Sequence, residues 1–202
     1  MTGGLPIDLI LFAMVAAFLV LRLRSVLGRR TGFERQPGEA TPGAAGRALP
    51  DPQSPVGQAL LRIRATDPAF DPGAFLNGAE GAFRMIVQAF AAGDRETLRN
   101  LLSDEAFGGF DQAIAAREAA GATQRTELRA VNDMAIEEAE LRGSVADITV
   151  RIVSDQVNLT IAQDGSIAAG AEAVTEITDL WTFQRDVQSS DPTWRLVGTR
   201  SA

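Results

Sequence analysis

After Gly121 the apolar residues stop recurring at every third or fourth position and begin to alternate, which confines the chain to a helical half followed by a strand half. On the helical side, Asp71-Pro72 supplies an N-cap and a first-turn proline. Phe75, Leu76, Ala79, Phe83, Ile86, Val87 and Phe90 then follow at helical spacing. Gly93 closes that helix, Asp94 caps a shorter one carrying Leu98, Leu101 and Leu102, and Ser103 caps a third with Phe107, Phe110 and Ile114. Upstream, Gln58 to Arg64 reads as a short amphipathic helix that either lies on a bilayer or docks on the domain.

On the strand side, Ala146, Ile148, Val150 and Ile152 alternate with Asp147, Thr149 and Arg151, as in a half-buried strand. Arg125 to Leu141 reads as the strand before it, with Gly143 at the turn. Val157, Leu159 and Ile161 lead into Asp164-Gly165, a hairpin dipeptide, and Thr175, Ile177, Asp179, Trp181 and Phe183 mark the returning strand. Ser190-Asp191-Pro192 turns the chain into Trp194, Leu196 and a C-terminal edge. Helices followed by a strand meander predict an α+β fold, with the helices packed on one face of a curved antiparallel sheet. A sheet covered on one side leaves a hollow, and the expected pocket or partner-binding wall is Ile148, Ile152, Ile177, Trp181, Phe183 and Trp194.

The N-terminal end is of a different kind. Leu9, Ile10, Leu11, Phe12, Val15, Phe18, Leu19, Val20 and Leu21 fall in a run without charge, and apolar character extends outward to Leu5 and Leu23. As a helix, Leu5 to Leu23 would cover about 28 Å, against about 30 Å of bilayer hydrocarbon. Arg22, Arg24, Arg29 and Arg30 follow the run and no basic side chain precedes it, so the positive-inside bias puts the N-terminus outside and the remainder in the cytoplasm. A cleaved signal peptide would instead carry positive charge before the run and a small-x-small site after it. Ala13 and Ala17 form a small-xxx-small pair, which leaves homo-oligomerisation open. The expected organisation is an anchor with its Arg flank over 1–30, a Pro/Gly-rich flexible linker over 31–57 and a globular domain over 58–202. Treated as coil, the linker spans about 30 Å.

Composition removes whole classes of chemistry. The 202 residues include no Cys, His, Tyr or Lys, so every one of the 19 basic side chains is Arg. There is no thiol nucleophile, no disulfide and no imidazole to act as base or zinc ligand. Up to Gly57 six Arg face four acids, for +2; from Gln58 onward 13 Arg face 22 acids, for −9. A domain of that sign repels phosphate backbones, which makes nucleic acid a poor partner. The Glu137, Glu138, Glu140 cluster reads as a solvated strand edge in preference to a hard-metal site, which needs ligands converging from a shaped loop. Asp164-Gly165 lacks the alternating acids of a calcium loop and reads as a turn. No catalytic residue, metal ligand or cofactor site is expected.

Three blocks, AFAAGDRETLR, LLSDE and DLWTFQRD, together with VADITVRIVSDQV, give the chain a family likeness over roughly Asp71 to Arg200. It resembles the family of the mitochondrial presequence-translocase motor adaptor, Tim forty-four, and its bacterial TimA-type relatives. The resemblance implies a cone-like α+β fold with a large apolar pocket and attachment to the bacterial inner membrane. It also implies an adaptor role in membrane-protein transport or biogenesis, through other membrane or chaperone proteins, or a lipid or acyl chain in the pocket, and without catalysis. Two rival readings carry different expectations. A pocket enzyme on the same fold would use Asp147 or Asp179 as a base, and a periplasmic scaffold of a secretion apparatus would invert the topology.

Overall fold

The computed structural model describes residues 49–201. The anchor expected over Leu9–Leu21 and its flank of Arg22, Arg24, Arg29 and Arg30 lie outside the described residues. Among the described residues no helix is long and apolar enough to cross a membrane.

Among the described residues four helices come first. α1 (Pro55–Thr66) begins where the Ser54 hydroxyl accepts from the Gly57 amide at 3.0 Å and Pro55 fills a first-turn position. Of the linker read over 31–57, residues 31–48 lie outside the described residues, and Pro55 to Gly57 form the first turn of α1. Ser54-Pro55 sits in a Pro-rich run, where the same residues serve equally as coil. Ala59, Leu60 and Ile63 are buried and the helix packs against the first strand, so it docks on the domain. α2 (Pro72–Ala92) is the long core helix. The Asp71 carboxylate caps it by accepting from the Ala74 amide at 2.7 Å, and Gly93, at φ 73°, closes it. α3 (Arg95–Leu101) and α4 (Asp104–Ala119) are capped by Asp94 and Ser103.

The strand half is one antiparallel meander, β1 (Thr123–Arg142), β2 (Val145–Ile161), β3 (Ile167–Asp186) and β4 (Arg195–Ser201), hydrogen-bonded in sequence order. The two segments expected around Ile148 and Leu159 are one continuous strand. Register shifts near Ala130, Asp133 and Glu138 on β1, and near Asn158 between β2 and β3, insert extra residues that bend the long ribbons. The helices cover one face. Phe83, Leu76 and Ile86 of α2 meet Met134, Ile148, Val150, Ile152, Phe183 and Leu196 of the sheet, and all nine are at most 1% exposed. Burying each such side chain contributes about 1.5–3 kcal/mol. The helical half is also tied to the last strand, because the Ser103 amide donates to the Leu196 carbonyl at 2.9 Å beside a Leu102–Leu196 bridge.

Candidate functional site

An apolar cavity of about 350 Å³ opens where α2 meets the end of β3. Its rim is the α1–α2 loop, with Ala69, Phe70 and Asp71; its floor is Ala74, Phe75, Gly78, Ala79, Ala82 and Met85 of α2; Leu101, Phe183, Arg185 and Trp194 complete the wall. The hollow exists because α2 presents small residues there. Ala74, Gly78 and Ala82 stand one turn apart over about 12 Å, and a Cβ added at Gly78 would meet nothing within 4 Å. Larger rings bound the space. Phe75 lies edge-on to Trp194 at 4.9 Å and to Phe183 at 6.0 Å, while Phe70 stacks at a tilt on Trp194 at 5.8 Å. The volume is near the lower end of the roughly 300–1,000 Å³ of small-ligand sites.

The charged groups at the cavity are engaged with the protein itself. Arg185 pairs with Asp67, both side chains being nearly buried, and its guanidinium sits 5.4 Å from the Trp194 ring centre. The Arg185 Nε is buried without a hydrogen-bond partner. The Asp71 carboxylate is held by the α2 cap. Among the described residues, Asp71 and Arg185 are the ionisable groups in the lining.

Of the six residues expected to wall the pocket, Phe183 and Trp194 line the cavity. Ile148 and Ile152 are fully buried in the common core, and Trp181 is closed off by Phe83, edge-on at 4.8 Å. Ile177 stands opposite Ser154 farther along β3. The cavity residues that hydropathy missed are the small ones on α2. Their every-fourth spacing was readable, but it carries no weight in a search for large apolar side chains.

The two aspartates of the enzyme reading are elsewhere. Asp147 lies on the face of the sheet away from the helices, where its carboxylate accepts from Gln184 Nε2 at 2.7 Å and from Arg142. It borders a polar concavity of about 600 Å³ with Thr149, Thr182 and Glu138, and Thr149 and Thr182 share a hydroxyl hydrogen bond at 2.9 Å. Asp179 stands opposite Ile152 in the β2–β3 register and does not line the apolar cavity. Glu137, Glu138 and Glu140 pair with Arg151, Arg200 and Arg142 respectively, an arrangement of surface ion pairs. Among the described residues no group of three or more acids is placed to hold a metal ion.

No curated protein matches the chain in sequence. Among solved structures, the crystal structure of the intermembrane space region of the chloroplast protein ARC6 aligns at a TM-score of 0.46 and 11% identity, over 62% of this chain and 94% of that one. The model of the Tim44-like domain matches residues 56–201, from the second residue of α1 to the last of β4. By that match, the chain belongs to the Tim44-like domain family.

Proposed function

We propose that the protein is a single-pass adaptor of the bacterial inner membrane, anchored through Leu9–Leu21 with its folded domain on the cytoplasmic side. In this reading it serves membrane-protein transport or biogenesis by seating an apolar segment of a partner protein, or an acyl chain, in the α2–β3 cavity. The observation that carries the reading is the cavity itself: an apolar hollow whose ionic groups are committed to each other and to a helix cap. Such a lining offers burial to a ligand, and its carboxylate, Asp71, is already engaged as a helix cap. The arginine flank after the apolar run supports the topology.

A photoactivatable side chain placed at Met85, a partly exposed lining residue of the cavity on α2, tests the site in living cells. Discrete protein or lipid adducts are expected, and Gly78→Phe, which fills the hollow, should suppress them. Adducts indifferent to that filling, or none at all, would remove the cavity from the function. A reporter fused after Ala202 tests the topology: fluorescence of a cytoplasm-only reporter supports it, and alkaline phosphatase activity points to the periplasmic scaffold instead.

A further inference from the structure

β3 is flanked on both sides for only part of its length. β2 accompanies it from Ile167 to Asp186, whereas β4 pairs with it from Asp179 to Gln184 alone. Among the described residues, residues 167–178 therefore present a backbone edge that no strand covers. Their side chains are exposed as well. Every residue from Ile167 to Glu176 except Ala169 is exposed, including Ile167 at 53% and Val174 at 56%. An uncovered edge of this kind is a template for strand addition, in which the backbone supplies affinity and the side chains supply selectivity.

Charge narrows the partner. The stretch IAAGAEAVTEIT carries Glu172 and Glu176 and no cation, and Asp164 sits in the adjoining turn. Two copies pairing edge to edge would collect four glutamates in one ribbon, and like charges facing each other destabilise a strand pair. A strand that alternates Arg or Lys with Val or Ile meets those carboxylates with cations and covers Ile167 and Val174 with apolar surface. Local geometry keeps Glu172 and Val174 exposed, while Glu176 accepts from Asn132 Nδ2 at 3.5 Å. The register steps from Asn158–Ala171 to Gln156–Thr175, so Glu172, Ala173 and Val174 bulge out of the β2 ladder. Gly170, at φ 86°, makes the bulge possible, since a Cβ there would lie 1.9 Å from the Asn158 carbonyl oxygen.

We infer that the 167–178 edge of β3 is a docking site for an extended basic segment of a partner protein, which adds to the sheet as a further strand. Hydrogen–deuterium exchange on the full-length chain tests this, with the synthetic peptides (Arg-Val)4 and (Glu-Val)4 as probes. At saturation the basic peptide is expected to slow amides within 167–178 by about tenfold or more, and the acidic one to leave them unchanged. Glu172→Arg should weaken the basic peptide by about fivefold and favour the acidic one. Val174→Pro, placed where the β2 register skips, should weaken binding while the β2–β3 amides remain protected. Equal response to both peptides, or no response, overturns the inference. So does protection of 167–178 before any peptide is added, which would mean that a second copy or the chain's own remainder already occupies the edge.

Discussion

Arg185 and Asp67, 118 residues apart in sequence, join the end of β3 to the loop between α1 and α2 beside the cavity. Their side chains are only 12% and 13% exposed, so each depends on the other to offset lost hydration. Asp67→Leu would take away the carboxylate paired with the guanidinium in a poorly hydrated place, and it should lower stability by about 3 kcal/mol. Combining Asp67→Leu with Arg185→Met removes both charges and should recover most of that loss. Urea denaturation of the two variants checks the pattern. A double variant as weak as the single one would mean that the ion pair is not what holds this loop.

Arg117 plays a different part, holding the end of α2 from α4. It donates to the Phe90 carbonyl at 2.9 Å and the Ala91 carbonyl at 3.4 Å, accompanies the Phe90 ring at 5.3 Å, and donates to Gln124 Oε1. A cation on the last carbonyls of a helix satisfies groups the helix itself cannot and faces the negative end of its dipole. Burial lowers the Arg117 pKa from its ordinary value, yet the group stays charged at neutral pH. Arg117→Met, which keeps the stem and loses the donors, should cost about 1–2 kcal/mol. Hydrogen exchange should locate the damage in the last turn of α2 and leave its centre around Phe83 protected.

The punctuation of the helices was open to reading because it is local. Asp71-Pro72 and Gly93 mark α2 by chemistry that acts within a turn, and the same holds for the caps Asp94 and Ser103. The alternation from Ala146 to Ile152 likewise marks β2. The cavity was not readable in the same way. Trp181 is as large and apolar as Trp194, and only the placement of α2 decides that Phe83 covers the first while Ala74 and Gly78 leave space beside the second. The bulges that curve the sheet were also hidden, since a two-against-one pairing near Asp133 or Asn158 is a property of two strands together. Ile148 and Ile152 point toward the helices as alternation requires, but whether that side is core or pocket depends on what stands opposite.

Acid should weaken the domain while mild alkali leaves it unchanged. Hydrogen bonds from Arg95 hold the Glu118 carboxyl below its ordinary value of 4.5, those from Arg125 do the same for Glu127, and those from Thr97 and Thr193 hold Asp94 and Asp191 below 3.8. A carboxyl with a depressed folded pKa binds its proton less tightly folded than unfolded. Its contribution is therefore complete above the ordinary pKa and is lost as pH falls through that value toward the folded one. With no His in the chain, no side chain of ordinary pKa titrates between about pH 5.5 and 8. The melting temperature should be level across that interval and fall below about pH 4.5. Glu118→Gln should make the acid limb shallower, and an unchanged limb would show that its pairing with Arg95 adds nothing.

Two glycines in different settings should respond oppositely to the same substitution. Gly78 lies inside α2, and an added Cβ there would meet nothing within 4 Å. Gly78→Ala removes backbone freedom from the unfolded chain and should raise stability by about 0.5–1 kcal/mol. Gly170 has φ 86°, and its added Cβ would lie 1.9 Å from the Asn158 carbonyl oxygen and 2.9 Å from the carbonyl carbon, both of which are backbone atoms that cannot swing aside. Gly170→Ala combines that overlap with a left-handed backbone and should cost about 2 kcal/mol or more. Thermal melts of the two alanine variants decide the matter. If Gly170→Ala melts no lower than the parent, the bulge beside Asn158 is free to rearrange, and the exposed edge of β3 would not have the fixed shape that strand docking requires.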